Sequence, residues 1–309
     1  MKTPCSLLLL LCCPLVLFCQ TDRLRDSLLR RAQTADADTT RVWALMETGK
    51  LFLNTNADSA LLYLRPALQL AEQTGFEKGM ARCRINSAVA WFDLGQFDSV
   101  QTLCNGAIPL CERLGLRKEL VAVYNLLGNT WSARENGWLA IRAFEKCLEV
   151  MKTAEVPPHY PIVVNDNISN LYLRLDLYAK GLEYARECAR LAEANGDELT
   201  MCTAFIHIGN AYKGLEKPEL ALPVYEKSIQ LARKNNYNRV LATALSAAAE
   251  IHANTGKESL AIDMYQEGLR VAQAGGDREG QMYNLHGLSL IELTQGQWAA
   301  AQRHADDAL

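Results

Sequence analysis

The chain has 309 residues, 49% hydrophobic but only 7% aromatic, and Ala and Leu dominate after the first twenty positions. That composition favours helices over sheets, and a single core becomes awkward beyond about 250 to 300 residues, so with no linker-like stretch in the chain an elongated array is expected. Lys and Arg number 32 against 35 Asp and Glu, which leaves no basic excess for nucleic acid or an anionic membrane surface.

In chain order, Lys2 gives a positive start and residues 7–19 form an apolar run broken by Pro14. Thirteen residues are too few to cross about 30 Å of hydrocarbon as a helix, and Gln20-Thr21-Asp22-Arg23 is polar, so no transmembrane span is expected. The segment reads as a secretory leader, residues 1–19, which predicts an exported, periplasmic chain. A lipid anchor at Cys19 is the alternative, opposed by the bulky Phe18 before it. Residues 20–40 are expected to form a lead-in helix and residues 41–309 a repeat array. Outside the leader stand Cys83, Cys104, Cys111, Cys147, Cys188 and Cys202. An even number in an oxidising compartment admits disulfides, but positions on buried helix faces favour free thiols, and no CxxC spacing suggests a metal.

A small residue, a second residue four later and another small one seven later recur seven times. The sets are Ala60/Leu64/Ala67, Val100/Cys104/Ala107, Ala140/Phe144/Cys147, Gly181/Ala185/Cys188, Ala221/Tyr225/Ser228, Ala261/Tyr265/Gly268 and Ala301/Ala305/Ala308, with leading members 40, 40, 41, 40, 40 and 40 apart. This spacing is one stripe of a helix whose small ends admit a close neighbour. About twelve residues before each set lies a second apolar helix, clearest as Tyr124, Leu127, Gly128, Trp131 and as Phe205, Ile208, Gly209, Tyr212. Each unit is therefore a predicted helical hairpin. Asn54, Gly95, Glu135-Asn136-Gly137, Gly256 and Gly296 punctuate hairpins, and Gly75, Gly115, Gly196 and Gly275-Gly276 separate them. Asp58 and Asp98 are expected helix caps, and Pro66, Pro109 and Pro223 are expected to kink second helices. Residues 156–161, Val-Pro-Pro-His-Tyr-Pro, are expected to form a stiff loop where the period slips to 41.

These residues resemble the tetratricopeptide repeat, in a long variant of 40 rather than 34 residues. The resemblance is carried best by Tyr124, Leu127-Gly128, Trp131, Ala140, Phe144 and Cys147, and by Phe205, Ile208-Gly209, Tyr212, Ala221, Tyr225 and Ser228. It implies an all-α fold, a right-handed α-solenoid of about seven tandem hairpins, with a protein or peptide partner on the concave face lined by first helices. A second resemblance, in Asp38-Thr39-Thr40-Arg41-Val42 and residues 56–63, is to the exported sensor region of bacterial signalling proteins of the histidine kinase or transcriptional regulator type. It implies a sensor array or a stand-alone relative.

Chemistry-bearing motifs are missing. The five His make no HExxH or close His-carboxylate pair, no phosphate loop or GxSxG elbow occurs, and His207 and His252 read as packed or groove-lining residues. The aromatic series Trp91, Trp131, Tyr172 and Tyr212 follows the repeat and reads as packing. No enzyme, metal or cofactor is expected. The expected binding residues are Asn129, Asn170 and Asn210, two positions after the apolar residue of each aligned first helix, with Asn125, Asp166, Arg174 and Lys213 on the same face. An Asn ladder can donate to and accept from an extended peptide backbone; it can equally brace neighbouring helices. Arrays that grip a C-terminal carboxylate place a basic residue where Asn125 and Asp166 stand, so such a clamp is not expected. The function expected is a non-catalytic binding scaffold or sensor input region; an adaptor or chaperone-like assembly factor for envelope complexes is the alternative. The end at Asp307-Ala308-Leu309 suggests an incomplete seventh repeat.

Overall fold

A computed structural model describes residues 13–308, and their side chains from residue 23 onward. Most of the expected leader, and the Cys19 side chain with its anchor, lie outside the described residues. Fifteen α-helices and no strand make up what is described, in two units divided between Glu155 and Val156. The first unit holds α1 (Cys13–Thr34), α2 (Asp38–Lys50), α3 (Ala57–Gln73), α4 (Glu77–Asp93), α5 (Phe97–Arg113), α6 (Arg117–Ala133) and α7 (Gly137–Met151). The second holds α8 (His159–Arg174), α9 (Tyr178–Asn195), α10 (Glu198–Gly214), α11 (Pro218–Asn235), α12 (Asn238–Asn254), α13 (Glu258–Ala274), α14 (Arg278–Thr294) and α15 (Trp298–Asp307). From α2 to α15 the helices pair into seven hairpins, and among the described residues no helix is long and apolar enough to cross a membrane.

The small-residue stripe is what closes each hairpin. Ala60, Leu64, Ala67, Val100, Cys104, Ala107, Ala185, Cys188, Ala221 and Tyr225 are all fully buried. The glycine of the first helix completes the joint: a Cβ on Gly128 would stand 2.5 Å from the Phe144 ring, and one on Gly209 would overlap the ring of Tyr225. One missing methyl thus admits one large ring from the second helix. Turns inside hairpins use a left-handed residue at Asn54, Gly95, Glu135, Asp176, Glu216, Gly256 and Gly296.

Caps differ from expectation. Asn56, not Asp58, accepts from the N–H of Ser59 at 2.9 Å, and Asp98 instead pairs with Arg134 at 2.6 Å. Asn136 and Asp197 cap α7 and α10 through the N–H groups of Leu139 and Thr200. Each of α3, α5 and α11 continues through its proline as one helix. Pro66, Pro109 and Pro223 are exposed, so the carbonyl left without its N–H partner lies on the wet side of the helix. Pro161 lies in the first turn of α8 rather than in the preceding loop, a position that does not require its missing N–H.

The six cysteines outside the expected leader are free and buried. Burial pushes the thiols of Cys83, Cys104 and Cys147 up to about 12 and that of Cys202 to about 11.

Candidate functional site

In the second unit the first helices of four successive hairpins, α8, α10, α12 and α14, line a groove of about 1110 Å³. Its floor is apolar, with Leu173, Ile206, Val240, Ala247 and Ile251. Its walls are polar because these helices repeat every 40 residues and present the same turn positions. Asp166, Asn170 and Arg174 come from α8, Asn210 and Lys213 from α10, and all five were expected from the sequence. Asn125 and Asn129 lie half-buried on α6 of the first unit. There the first helices enclose a smaller groove of about 380 Å³, lined among others by Met46, Lys50, Arg82, Glu119 and Ala122, and neither asparagine lines it. The groove of the second unit therefore holds two rungs of the predicted ladder, Asn170 and Asn210, rather than three.

The two asparagines are not equivalent. Tyr225, fully buried on α11, donates its hydroxyl to Oδ1 of Asn210 at 2.6 Å. That bond satisfies a buried hydroxyl and fixes the Asn210 amide, leaving its NH2 as the donor end. Asn210 is thus both brace and groove wall, while Asn170 is exposed. Lys213 is held by Glu250 of α12 at 2.6 Å and is not an isolated cation. Nδ1 of His207 lies 3.2 Å from Oδ1 of Asp166 without the alignment of a hydrogen bond. Cys188 reaches the same Asp166 oxygen at 4.0 Å, and burial and that carboxylate both push the thiol's pKa upward, the reverse of what a nucleophile needs.

Thr203, Arg239, Thr243, Ser246, Glu250 and Tyr283 also line the groove and were not expected from the sequence. Several sit 40 residues from one another, such as Thr203, Thr243 and Tyr283, so the period itself was the signal. The groove carries Asp166, Glu216, Glu250, Asp277 and Glu279 against Arg174, Lys213 and Arg239. Mixed charge over an apolar floor suits a polypeptide segment better than a polyanion.

Stacked hairpins closed by small residues, with grooves along their first helices, define a tetratricopeptide-like repeat fold. No family model and no curated protein matches the chain. Solved structures do. A STAND protein with a tetratricopeptide repeat sensor from Pyrococcus horikoshii matches with a TM-score of 0.72 and 16% identity over 92% of this chain, which spans 43% of that protein's length. The apo quorum sensor NprR from B. thuringiensis gives 0.68 and 14% over 95% of this chain and 83% of its own. A Rap protein complexed with competence and sporulation factor gives 0.59 and 12%, over 87% of this chain and 75% of its own. At these identities the likeness is one of fold.

Proposed function

We propose that the chain is a non-catalytic, polypeptide-binding scaffold whose second unit holds an extended segment of a partner in the groove between α8, α10, α12 and α14. The observation that carries this is the Asn210 amide, its oxygen held by the Tyr225 hydroxyl, on the wall of a groove of about 1110 Å³. Asn170 supplies a second donor and acceptor, and backbone amides of an extended peptide match such groups whatever its side chains. Among the structural neighbours the Rap protein is complexed with a factor, NprR is a quorum sensor and the STAND protein's repeats form its sensor. These support a receiving role for this array. The leader-like residues 1–19 support export to the periplasm, where the array would act as a sensor input region.

The test is selection of a phage-displayed library of random dodecapeptides on the full chain. Selected peptides should bind the Thr243→Arg variant, which fills the groove, about tenfold or more weakly at unchanged melting temperature. Peptides that bind that variant as tightly as the parent would overturn the placement.

A further inference from the structure

First helices carry an aromatic ring at one recurring position: Trp91, Trp131, Tyr172 and Tyr212. Over each ring the chain places a cation of its own. Arg65 lies 5.4 Å from the Trp91 ring centroid, Arg134 5.6 Å from Trp131, Lys180 5.3 Å from Tyr172 and Arg186 5.7 Å from Tyr212. For Trp91 and Tyr212 the cation comes from the preceding second helix, 26 positions earlier. Forty positions after Tyr212 the series reaches His252, and 26 before His252 stands Glu226. The ring shrinks, and the residue at the position of Arg65 and Arg186 is acidic.

What remains is a pocket of about 360 Å³ with α11 and α13 as walls and α12 as floor. Leu222, Ile229, Leu245 and Met264 make it apolar inside, while Glu226 and Asp263 bring a carboxylate from each wall. Arg233, the one Arg or Lys among its lining residues, is already closed by both oxygens of Glu267 at 2.7 and 2.8 Å. Nδ1 of His252 is buried and has no hydrogen-bond partner. Burial lowers the pKa of this imidazole, Lys257 adds to the effect and Glu226 opposes it, so the ring is neutral at neutral pH and offers a lone pair as well as a donor.

We propose that this pocket receives an arginine side chain from a partner polypeptide, supplying the cation that the four preceding repeats supply themselves. The planar guanidinium has five donors for the Glu226 and Asp263 carboxylates and stacks on a flat ring, while its stem and flanking apolar residues match Leu222 and Met264. The site shares no lining residue with the first-helix groove, and it stands whether or not that groove binds peptide.

The probe is N-acetyl-Leu-Arg-Leu-amide, titrated into full-length chain carrying 13C-methyl Met and 15N His. Saturable shifts of the Met264 methyl and the His252 ring are expected, with the Lys peptide about tenfold weaker and the Glu peptide silent. Glu226→Arg with His252→Tyr rebuilds the self-filled arrangement of Arg186 and Tyr212 and should abolish the Met264 response. Glu226→Gln, a milder change, should weaken it while leaving the circular dichroism intact. An unresponsive Met264, equal shifts with the Glu peptide, or undiminished binding by both variants would overturn the proposal.

Discussion

Replacing Gly209 by Ala should destabilise the second unit, although Ala is the better helix former. An added Cβ would lie 2.7 Å from Cδ1 and Cζ of Tyr225 and closer still to Cε1. The ring cannot simply move aside, because Tyr225 is fully buried and its hydroxyl is tied to Asn210. Ala gains about 1 kcal/mol of helix propensity over Gly. Overpacking costs about 1 to 3 kcal/mol, and a ring that yields by dropping its hydroxyl bond forfeits a further ~1 to 3 kcal/mol for the orphaned buried group. With both costs incurred and the propensity gain set against them, the net expectation is a loss of roughly 1 to 5 kcal/mol. Urea denaturation followed by circular dichroism measures it, with amide exchange assigning the opening to α10 and α11. Tyr225→Leu removes the obstructing ring atoms, so the double variant should lose less than the two single losses added. A Gly209→Ala protein as stable as the parent, or strict additivity with Tyr225→Leu, would refute the packing argument.

Asn170→Ala should leave the melting temperature unchanged and weaken capture of groove-selected peptides, whereas Asn210→Ala should do both harms, since it also orphans the Tyr225 hydroxyl; equal melting losses would refute the distinction. The six buried thiols should resist Ellman's reagent at pH 8 in the native chain and react fully in urea, because burial raises all six pKa values, to about 11 or 12 for Cys83, Cys104, Cys111, Cys147 and Cys202. Their folded pKa values exceed the unfolded one of about 9, so they favour the fold below pH 9 and this contribution falls as pH rises toward 12, a loss that denaturation at pH 8 and 10.5 should register. Deleting residues 1–19 should leave the helical signal and melting temperature intact; a large loss would show that the leader packs against the array.

Hairpins were legible in the sequence because a stripe of small residues must repeat wherever helices approach closely, and Ala60, Ala140 and Ala221 announce it without reference to distant contacts. Turns at Asp176 and Glu216 were not: both adopt left-handed backbone with φ of 57° and 58°, yet Glu does not signal that conformation and a lone Asp signals it only weakly. Part of the groove was readable for a related reason. Asn170 and Asn210 stand out as polar residues on an apolar helix, but Thr243 and Ser246 are unremarkable until α12 is seen to lie between α10 and α14. The Tyr225 bond to Asn210 was invisible because it joins two helices through side-chain tips, and periodicity carries no information on tips.

That bond also separates the two explanations for the asparagine series. Phe144 holds in its hairpin the place that Tyr225 holds in its own, each facing the glycine before the asparagine. Phe144 has no hydroxyl to give, and Ala185 stands at the matching position in the hairpin of Asn170. Bracing a buried hydroxyl therefore accounts for Asn210 alone; the proposed peptide contact would account for Asn170, which lines the groove, but not for Asn129, which lines neither groove. Reciprocal exchange tests this. Tyr225→Phe should cost about 0.5 to 1.5 kcal/mol, the net worth of one hydrogen bond. Phe144→Tyr should cost nothing or stabilise by up to a similar amount, about 1 kcal/mol, if Asn129 can accept as Asn210 does. A Phe144→Tyr variant destabilised by more than roughly 2 kcal/mol would mean that Asn129 is not positioned like Asn210 and that the hydroxyl is buried unpaired. The asparagines would then share a sequence position without sharing a structural role, and the ladder would have to be argued rung by rung.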